Sequence, residues 1–421
     1  MTRFVIVGGG LAGAKAAETL RAENFDGEIV LFGDEPVRPY ERPPLSKGIL
    51  LGKAERDSAF VHPADWYETN GVDLRTGVSI AAIDPRGHTV SFGGTTPPDP
   101  LGQESGTFAG ATLPYDKLLL TSGASPRRLD IPGDTLDGIH YLRRLPDTDQ
   151  LRAAFRAGAR VVIIGAGWIG LETAAAARLA GCDVTVVEPQ PVALYYQIGP
   201  ELGAIFAALH QAHGVKFRFG ETAAEFHGDA AGHVGSVLTS SGEILPADAV
   251  VVAIGAAPNI GLASAAGLEV SNGVVTDAAM RTSATDVFAA GDVANSYNPL
   301  LGMRVRVEHW ANALHGGPAA ARSMLGQEVS YDRVPYFFSD QYDLGMECSG
   351  LPSPGTYDQV VYRGDPSTLE FIAFWLSAGH VVAGMNVNVW DVTDDIQSLI
   401  RSARPADPAR LADQSIPLGE I

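Results

Sequence analysis

The sequence predicts an α/β protein built from two Rossmann-like domains and a C-terminal α+β domain. Three observations carry that expectation. A β-branched run, a glycine turn and an Ala-rich helical pattern open the chain, Arg3-Phe-Val-Ile-Val-Gly8-Gly-Gly10-Leu-Ala-Gly13 running into Ala14-Lys-Ala-Ala-Glu-Thr-Leu-Arg21. The same order recurs at Arg160-Val-Val-Ile-Ile-Gly165-Ala-Gly167-Trp-Ile-Gly170-Leu-Glu172. From about Gln327 the pattern changes to strands at 356–363, 369–377 and 380–388 and a helix at 391–403. A chain of 421 residues also exceeds what one core serves.

Each glycine of the opening motif has a physical task. Gly8 lets the strand reverse, Gly10 lets backbone approach a pyrophosphate, and Gly13 lets the helix pack against its strand. The helix N-terminus offers free N–H groups to the phosphates. The next strand, Gly27-Glu-Ile-Val-Leu-Phe-Gly33, ends in Asp34 and Glu35, and the second motif is followed by Val184-Thr-Val-Val-Glu188. One GxGxxG is weak evidence. Two, each with strand, helix and acid, mark two dinucleotide-binding domains.

The remaining segments fill in around these. Pro36 to Gly48 is a Pro/Arg-rich loop, in which Ser46 reads locally as a helix N-cap and Lys47 as an exposed first-turn lysine. Residues 76–92 alternate as two antiparallel strands about the turn Asp84-Pro-Arg-Gly87. Gly93 to Ala111 reads as a mobile surface insertion. Tyr115-Asp-Lys-Leu-Leu-Leu-Thr121-Ser122-Gly123 is a buried strand, and Ala249 to Asn259 closes the second module. Thr282 to Val293 is a strand delivering Asp292 to a helix start.

Composition narrows the function classes. A formal net charge of −19 argues against nucleic acid and anionic membrane as partners. No signal-like region precedes the first strand and no apolar run approaches the ~18 residues of a membrane span, so a cytoplasmic protein is expected. Two cysteines, Cys182 and Cys348, are too few for an iron–sulfur cluster or a tetrahedral zinc site, and they form no C-x-x-C pair. No metal site is expected, and both thiols read as small apolar residues.

The chain resembles the FAD-dependent NADH:ferredoxin reductase family, of putidaredoxin reductase and Rieske oxygenase reductase type, among the two-dinucleotide-binding flavoproteins. The markers are both glycine motifs, Pro43-Pro-Leu-Ser-Lys47, Phe288-Ala-Ala-Gly-Asp292, Glu308-His-Trp310, Phe338-Ser-Asp-Gln-Tyr342 and the terminal Pro417-Leu-Gly-Glu-Ile. The resemblance implies a discontinuous FAD-binding domain, 1–123 with 253–326, an inserted NAD-binding domain, 124–252, and a C-terminal interface domain, 327–421. For FAD it implies Gly8, Gly10, Ala12 and Gly13 around the pyrophosphate, with Asp34 or Glu35 on the ribose. Ile80, Ser122, Gly123, Arg143, Gly291, Asp292 and Trp310 complete that set, and Lys47 lies beside the flavin ring. For NADH it implies Gly165, Gly167, Ile169, Gly170, Glu188 and Gly255.

The catalytic residues implied are Lys47, Glu172 and Trp310. A cation beside the ring favours reduced, anionic flavin. Glu172 faces Lys47 in that reading; its bland alternative is an acid of the helix's first turn complementing the dipole. Trp310 is implied at the face where electrons leave, and the Arg304, Arg306, Glu308, Trp310 alternation places three charges on one strand face with the indole. Arg304, Arg306 and Arg322 then form a candidate docking patch, or else ion pairs with nearby acids. The implied activity passes electrons from NADH through FAD, one at a time, to a separate ferredoxin carrying a two-iron two-sulfur cluster, which feeds an oxygenase. The competing readings are an NADH oxidase or quinone reductase, and a flavin-bearing binding protein related to apoptosis-inducing factor.

Overall fold

In the computed structural model, residues 1–95 and 107–421 are described. They form two compact units, Met1–Glu41 with Arg56–Ser125 and Ala257–Arg333, and Arg42–Glu55 with Pro126–Ala256 and Val334–Ile421.

The first unit is organised by a five-stranded parallel sheet in the order Val287–Ala289, Lys117–Leu120, Arg3–Val7, Glu28–Phe32, Val72–Arg75. Its central strands are continuous apolar runs because helices or loops cover both faces. The helix Leu11–Ala22 follows the first strand at once, and its alanines let a second helix, Trp310–Met324, approach closely. A Cβ on Gly317 would lie 2.3 Å from the Ala12 carbonyl oxygen, so only glycine permits this contact.

Beside this sheet lie the antiparallel strands Ile80–Asp84, Thr89–Thr95 and Thr107–Pro114. The first two bear out the alternation at 76–92. The 93–111 segment is shorter as an insertion than the sequence suggests, because both its ends are paired strand. Its middle, 96–106, lies outside the described residues.

The second unit repeats the plan. Its parallel sheet runs Lys216–Phe219, Asp183–Glu188, Arg160–Ile164, Ala249–Val252, Ile139–His140. The helix Trp168–Leu179 packs on it, and the long helix Tyr195–Ala212 breaks at Gly199, whose φ of 79° precedes Pro200. The segment from Val334 belongs to this unit too. It forms an antiparallel sheet ordered Tyr336–Gln341, Leu344–Gly350, His380–Val387, Glu370–Ser377, Gln359–Asp365, then the helix Thr393–Ser402. Two of those strands, Tyr336–Gln341 and Leu344–Gly350, escape a reading of the sequence. Leu344–Gly350 buries residues from both faces, which erases the period of two. Tyr336–Gln341 alternates but buries the polar Ser339 and Gln341 beside Phe337, so its inward face is not an apolar one. Trp375 and Phe371 of this sheet share one buried cluster with Phe206 and Ile163.

Candidate active site

The first glycine turn has the geometry its sequence implies. Gly8 takes φ 130°, and a Cβ there would come 2.1 Å from the Thr121 carbonyl oxygen. A Cβ on Gly13 would lie 2.3 Å from the Gly8 carbonyl oxygen, whereas one on Gly10 would meet nothing within 4 Å. Two glycines therefore close the turn and the third opens it. Gly10 is the helix N-cap, brings no capping side chain, and the first turn carries no acid. The helix's first N–H groups are thus left for a ligand. Thr121 Oγ1 donates to the Gly8 carbonyl at 2.9 Å and fixes the loop.

Around this turn the unit gathers most of the predicted FAD residues. Ala12 is buried against Gly291, which has φ 76°. Ser122 and Gly123 follow the strand Lys117–Leu120, with Ser122 Oγ donating to the Asn259 carbonyl at 3.0 Å. Asp34 is exposed and Glu35 half-buried, the latter accepting the Tyr40 hydroxyl at 2.6 Å. Gly33 leaves little room for a side chain: a Cβ there would stand 3.3 Å from the Gly9 Cα. Ile80 packs among Val78 and Phe92 in an apolar cluster. Asp292 lies in a single 3₁₀ turn, Gly291–Val293, and not at the start of an α-helix.

Trp310 corrects the sequence reading. The strand Met303–Val305 ends before it, and Trp310 is the first residue of the helix Trp310–Met324. The alternation of four side chains on one strand face therefore does not exist. Burial raises the Glu41 carboxyl from its ordinary value, with Trp310 and Lys15 acting in the lowering direction. His309 keeps an exposed edge, yet the protein packed around its ring pushes it down to about 4, with Asp292 pulling the other way. The arginines are also engaged: Arg306 pairs with Glu308, Arg322 with Glu23 at 2.8 Å, and Arg304 donates to the Thr276 carbonyl.

The second unit holds the other cradle. Gly165 has φ 102°, and a Cβ on it would lie 2.4 Å from the Ala253 carbonyl oxygen; a Cβ on Gly170 would lie 2.1 Å from the Gly165 carbonyl oxygen. Gly167, again an uncapped N-cap, faces only the Gln197 amide at 3.7 Å. Glu188 is drawn into the turn: Oε2 accepts the Ala166 N–H at 2.7 Å and Oε1 the Gln190 N–H at 2.9 Å. Ile169 is exposed in the helix's first turn, Gly255 takes φ 93°, and Tyr196 stands well exposed. Arg143 precedes the helix Leu145–Ala154, its N–H bonded to Asp147 and its carbonyl to Arg42.

The same unit assembles the Lys47 centre. Pro43 and Pro44 start a 3₁₀ turn that ends at Leu45, so Ser46 caps the end of a turn and not the start of a helix. Lys47 Nζ bonds Glu172 Oε1 at 2.7 Å, and the Glu172 side chain is only 3% exposed. Ser46 Oγ donates to Oε2, and Ser339 Oγ to Oε1 at 2.7 Å. Glu172 begins the second turn of its helix, whose first turn holds no acid, so the dipole reading does not apply. An isolated buried carboxylate would be strongly disfavoured; three donors offset that. The Lys47 ammonium also sits 5.3 Å from the Phe338 ring centroid.

Sequence reasoning misses Ser46, Ser339, Gln341 and His210 as partners here. The signal available is the Phe338-Ser-Asp-Gln-Tyr342 run, where strand alternation puts Ser339 and Gln341 on one face.

Residues 2–317 match the pyridine nucleotide-disulphide oxidoreductase model. The chain belongs to that family. Residues 336–421 match a reductase C-terminal domain. Within this pyridine nucleotide-disulphide oxidoreductase family, the ferredoxin–NAD(+) reductase component of the anthranilate 1,2-dioxygenase system of Burkholderia cepacia is 39% identical over 99% of this chain and 98% of its own. Putidaredoxin reductase of Pseudomonas putida is 36% identical over 99% of this chain and 96% of its own. Among solved structures, the covalent putidaredoxin reductase–putidaredoxin complex superposes with a TM-score of 0.90 at 34% identity, covering 100% of this chain and 97% of that one. Both glycine cradles fit the family's nucleotide cofactors, since each leaves open the one position a pyrophosphate needs. This member has no accessible thiol pair: Cys182 and Cys348 are free and buried, and burial pushes both thiols up. Among the described residues no helix is long and apolar enough to cross a membrane.

Proposed function

We propose that this chain is an FAD-dependent reductase that takes electrons from NADH and passes them one at a time to a separate two-iron two-sulfur ferredoxin, which serves a cytochrome monooxygenase or Rieske-type oxygenase. The observation that carries this reading is the pairing of two open glycine cradles with two sealed thiols. Electrons from the nicotinamide have no disulfide to reach. FAD, when bound, supplies the exchange between two-electron and one-electron steps.

In this reading the chain's own residues bind, orient and exclude. Segments 1–123 and 253–326 hold FAD through Gly8, Gly10, Gly13 and Asp292, with Asp34 or Glu35 on the ribose. Segment 124–252 holds NADH through Gly165, Gly167, Gly170 and Glu188, and 327–421 covers the site. Lys47 holds a positive charge near the ring, and Glu172 fixes that charge in place. Trp310 shields the face from which electrons leave. The cytoplasm is the expected compartment.

The oxidase reading calls for a reactive cysteine near the flavin, and the burial of Cys182 and Cys348 weighs against it. The test is cytochrome c reduction by NADH, with and without an added two-iron two-sulfur ferredoxin. Stimulation of at least about tenfold by the ferredoxin is expected. Equal rates, with oxygen or a quinone consumed instead, would remove the ferredoxin from the reading.

A further inference from the structure

Behind Glu172 lies a chain of buried polar groups that the proposed reaction does not use directly. Ser339 Oγ, which donates to Glu172, accepts the Gln341 amide N–H at 3.0 Å. The Gln341 amide oxygen lies 2.8 Å from His210 Nε2, and His210 Nδ1 lies 3.4 Å from the Tyr342 hydroxyl. Ser339, Gln341 and His210 are all at most 1% exposed. Such groups have no water to fall back on, so each must satisfy the next.

The chemistry of these groups gives the chain one direction. Gln341 turns its nitrogen to Ser339, so its oxygen faces His210, and His210 Nε2 must carry the proton. The Tyr342 hydroxyl then donates to the bare Nδ1. Because Ser339 Oγ already accepts from Gln341, its own hydrogen is left for Glu172. Ser46 differs, because its hydroxyl also reaches the Pro43 carbonyl at 3.4 Å and can turn away.

We propose that Gln341 and His210 are positioning residues for the Lys47–Glu172 pair, acting through Ser339, whose hydroxyl they hold as an obligatory donor to Glu172 Oε1. This rests on the reading that the pair serves flavin reduction. The charged and titratable groups facing it are Lys47 from the 43–47 loop and Asp340, on the opposite strand face, whose carboxyl burial raises and Lys47 lowers. Facing His210 are Tyr342 and, stacked on that ring at 3.7 Å, His213. Burial pushes the His210 imidazole down to about 4, so it stays neutral and keeps one proton to place.

The experiment is a double-mutant cycle on the FAD-loaded protein, read as the rate constant of flavin reduction by NADH in stopped flow. Ser339→Ala and Gln341→Met, the latter close in volume but unable to donate, are each expected to slow reduction about tenfold, the loss of one hydrogen bond to a charged group. The double variant is expected to be no slower than Ser339→Ala alone, because Gln341 works through Ser339. NAD+ affinity should stay within about twofold. Multiplying effects, or parental reduction in Gln341→Met, would overturn the proposal. Lys47→Met is measured alongside: parental reduction there would overturn the underlying reading itself, a distinct result. Independently of any variant, 15N NMR of the imidazoles in the FAD-loaded protein should show His210 as the Nε2–H tautomer, and an Nδ1–H tautomer would reverse the chain and overturn the proposal.

Discussion

Glu188 should set the choice between NADH and NADPH, and the structure allows the size of that choice to be worked out. Its two oxygens are tied to the Ala166 and Gln190 N–H groups at 2.7 and 2.9 Å, so the carboxylate cannot swing away from an incoming ribose. A 2′-phosphate placed there meets a fixed like charge at about 4 Å, about 4 kcal/mol at an effective dielectric near 20, and screening leaves roughly 2–3. NADH instead gains charged hydrogen bonds to its ribose hydroxyls. Together these correspond to a preference for NADH of at least ~100-fold in kcat/KM, about 3 kcal/mol. Glu188→Ala removes the conflict and frees both N–H groups for an anion. The ratio should then fall to within about tenfold of unity. Adding Tyr196→Arg should lower it further, since Tyr196 is 61% exposed whereas Val192 packs beneath the long helix at Gly203. Steady-state kinetics with each nucleotide and a saturating one-electron acceptor gives the ratio directly. A parent that uses both nucleotides within a few-fold, or a Glu188→Ala variant with the parental ratio, would refute the reasoning.

Further outcomes follow from other positions. Gly10→Ala should fold normally but bind FAD at least about tenfold more weakly, since its Cβ meets only open space where a phosphate would lie, whereas Gly170→Ala should lose stability by about 2 kcal/mol or more through its 2.1 Å clash; flavin content and thermal melts separate the two. Trp310→Ala should slow ferredoxin reduction more than flavin reduction by NADH, and stopped-flow traces with only the NADH step slowed would place the indole on the other face. His210 is depressed in the fold to about 4 from 6.5, so its contribution to stability is complete above pH 6.5 and is lost as pH falls toward 4. At pH 5 the loss amounts to about 2 kcal/mol, so melting temperatures of the parent should fall more between pH 7 and 5 than those of His210→Gln.

The parts of the molecule written in local pattern are legible in the amino-acid sequence alone. Both glycine turns, their strands and acids, and the hairpin at 80–95 announce themselves because neighbouring residues in the sequence carry the whole signal. Lys47 and Glu172 are legible as a pair only through resemblance, for they are separated by most of a domain in sequence. Trp310 misleads for a physical reason: alternating Arg304, Arg306 and Glu308 satisfy a strand's period, but His309 is extended and then releases the chain into a helix. Ser339, Gln341 and His210 stay hidden because a hydroxyl, an amide and an imidazole gain meaning only from what faces them. Apart from the Ser339–Gln341 bond within one strand, their partners lie on other elements.

The sealed thiols have a practical consequence. With only Cys182 and Cys348 in the chain, both at 0% exposure and both shifted away from the reactive thiolate, the native surface offers nothing for a maleimide or a spin label to modify. A single cysteine introduced at an exposed position, such as Tyr297 or Met303, would therefore be the sole site of attachment. The folded chain needs no cysteine-free background, and the distance from such a label to a labelled ferredoxin becomes measurable on the otherwise native protein.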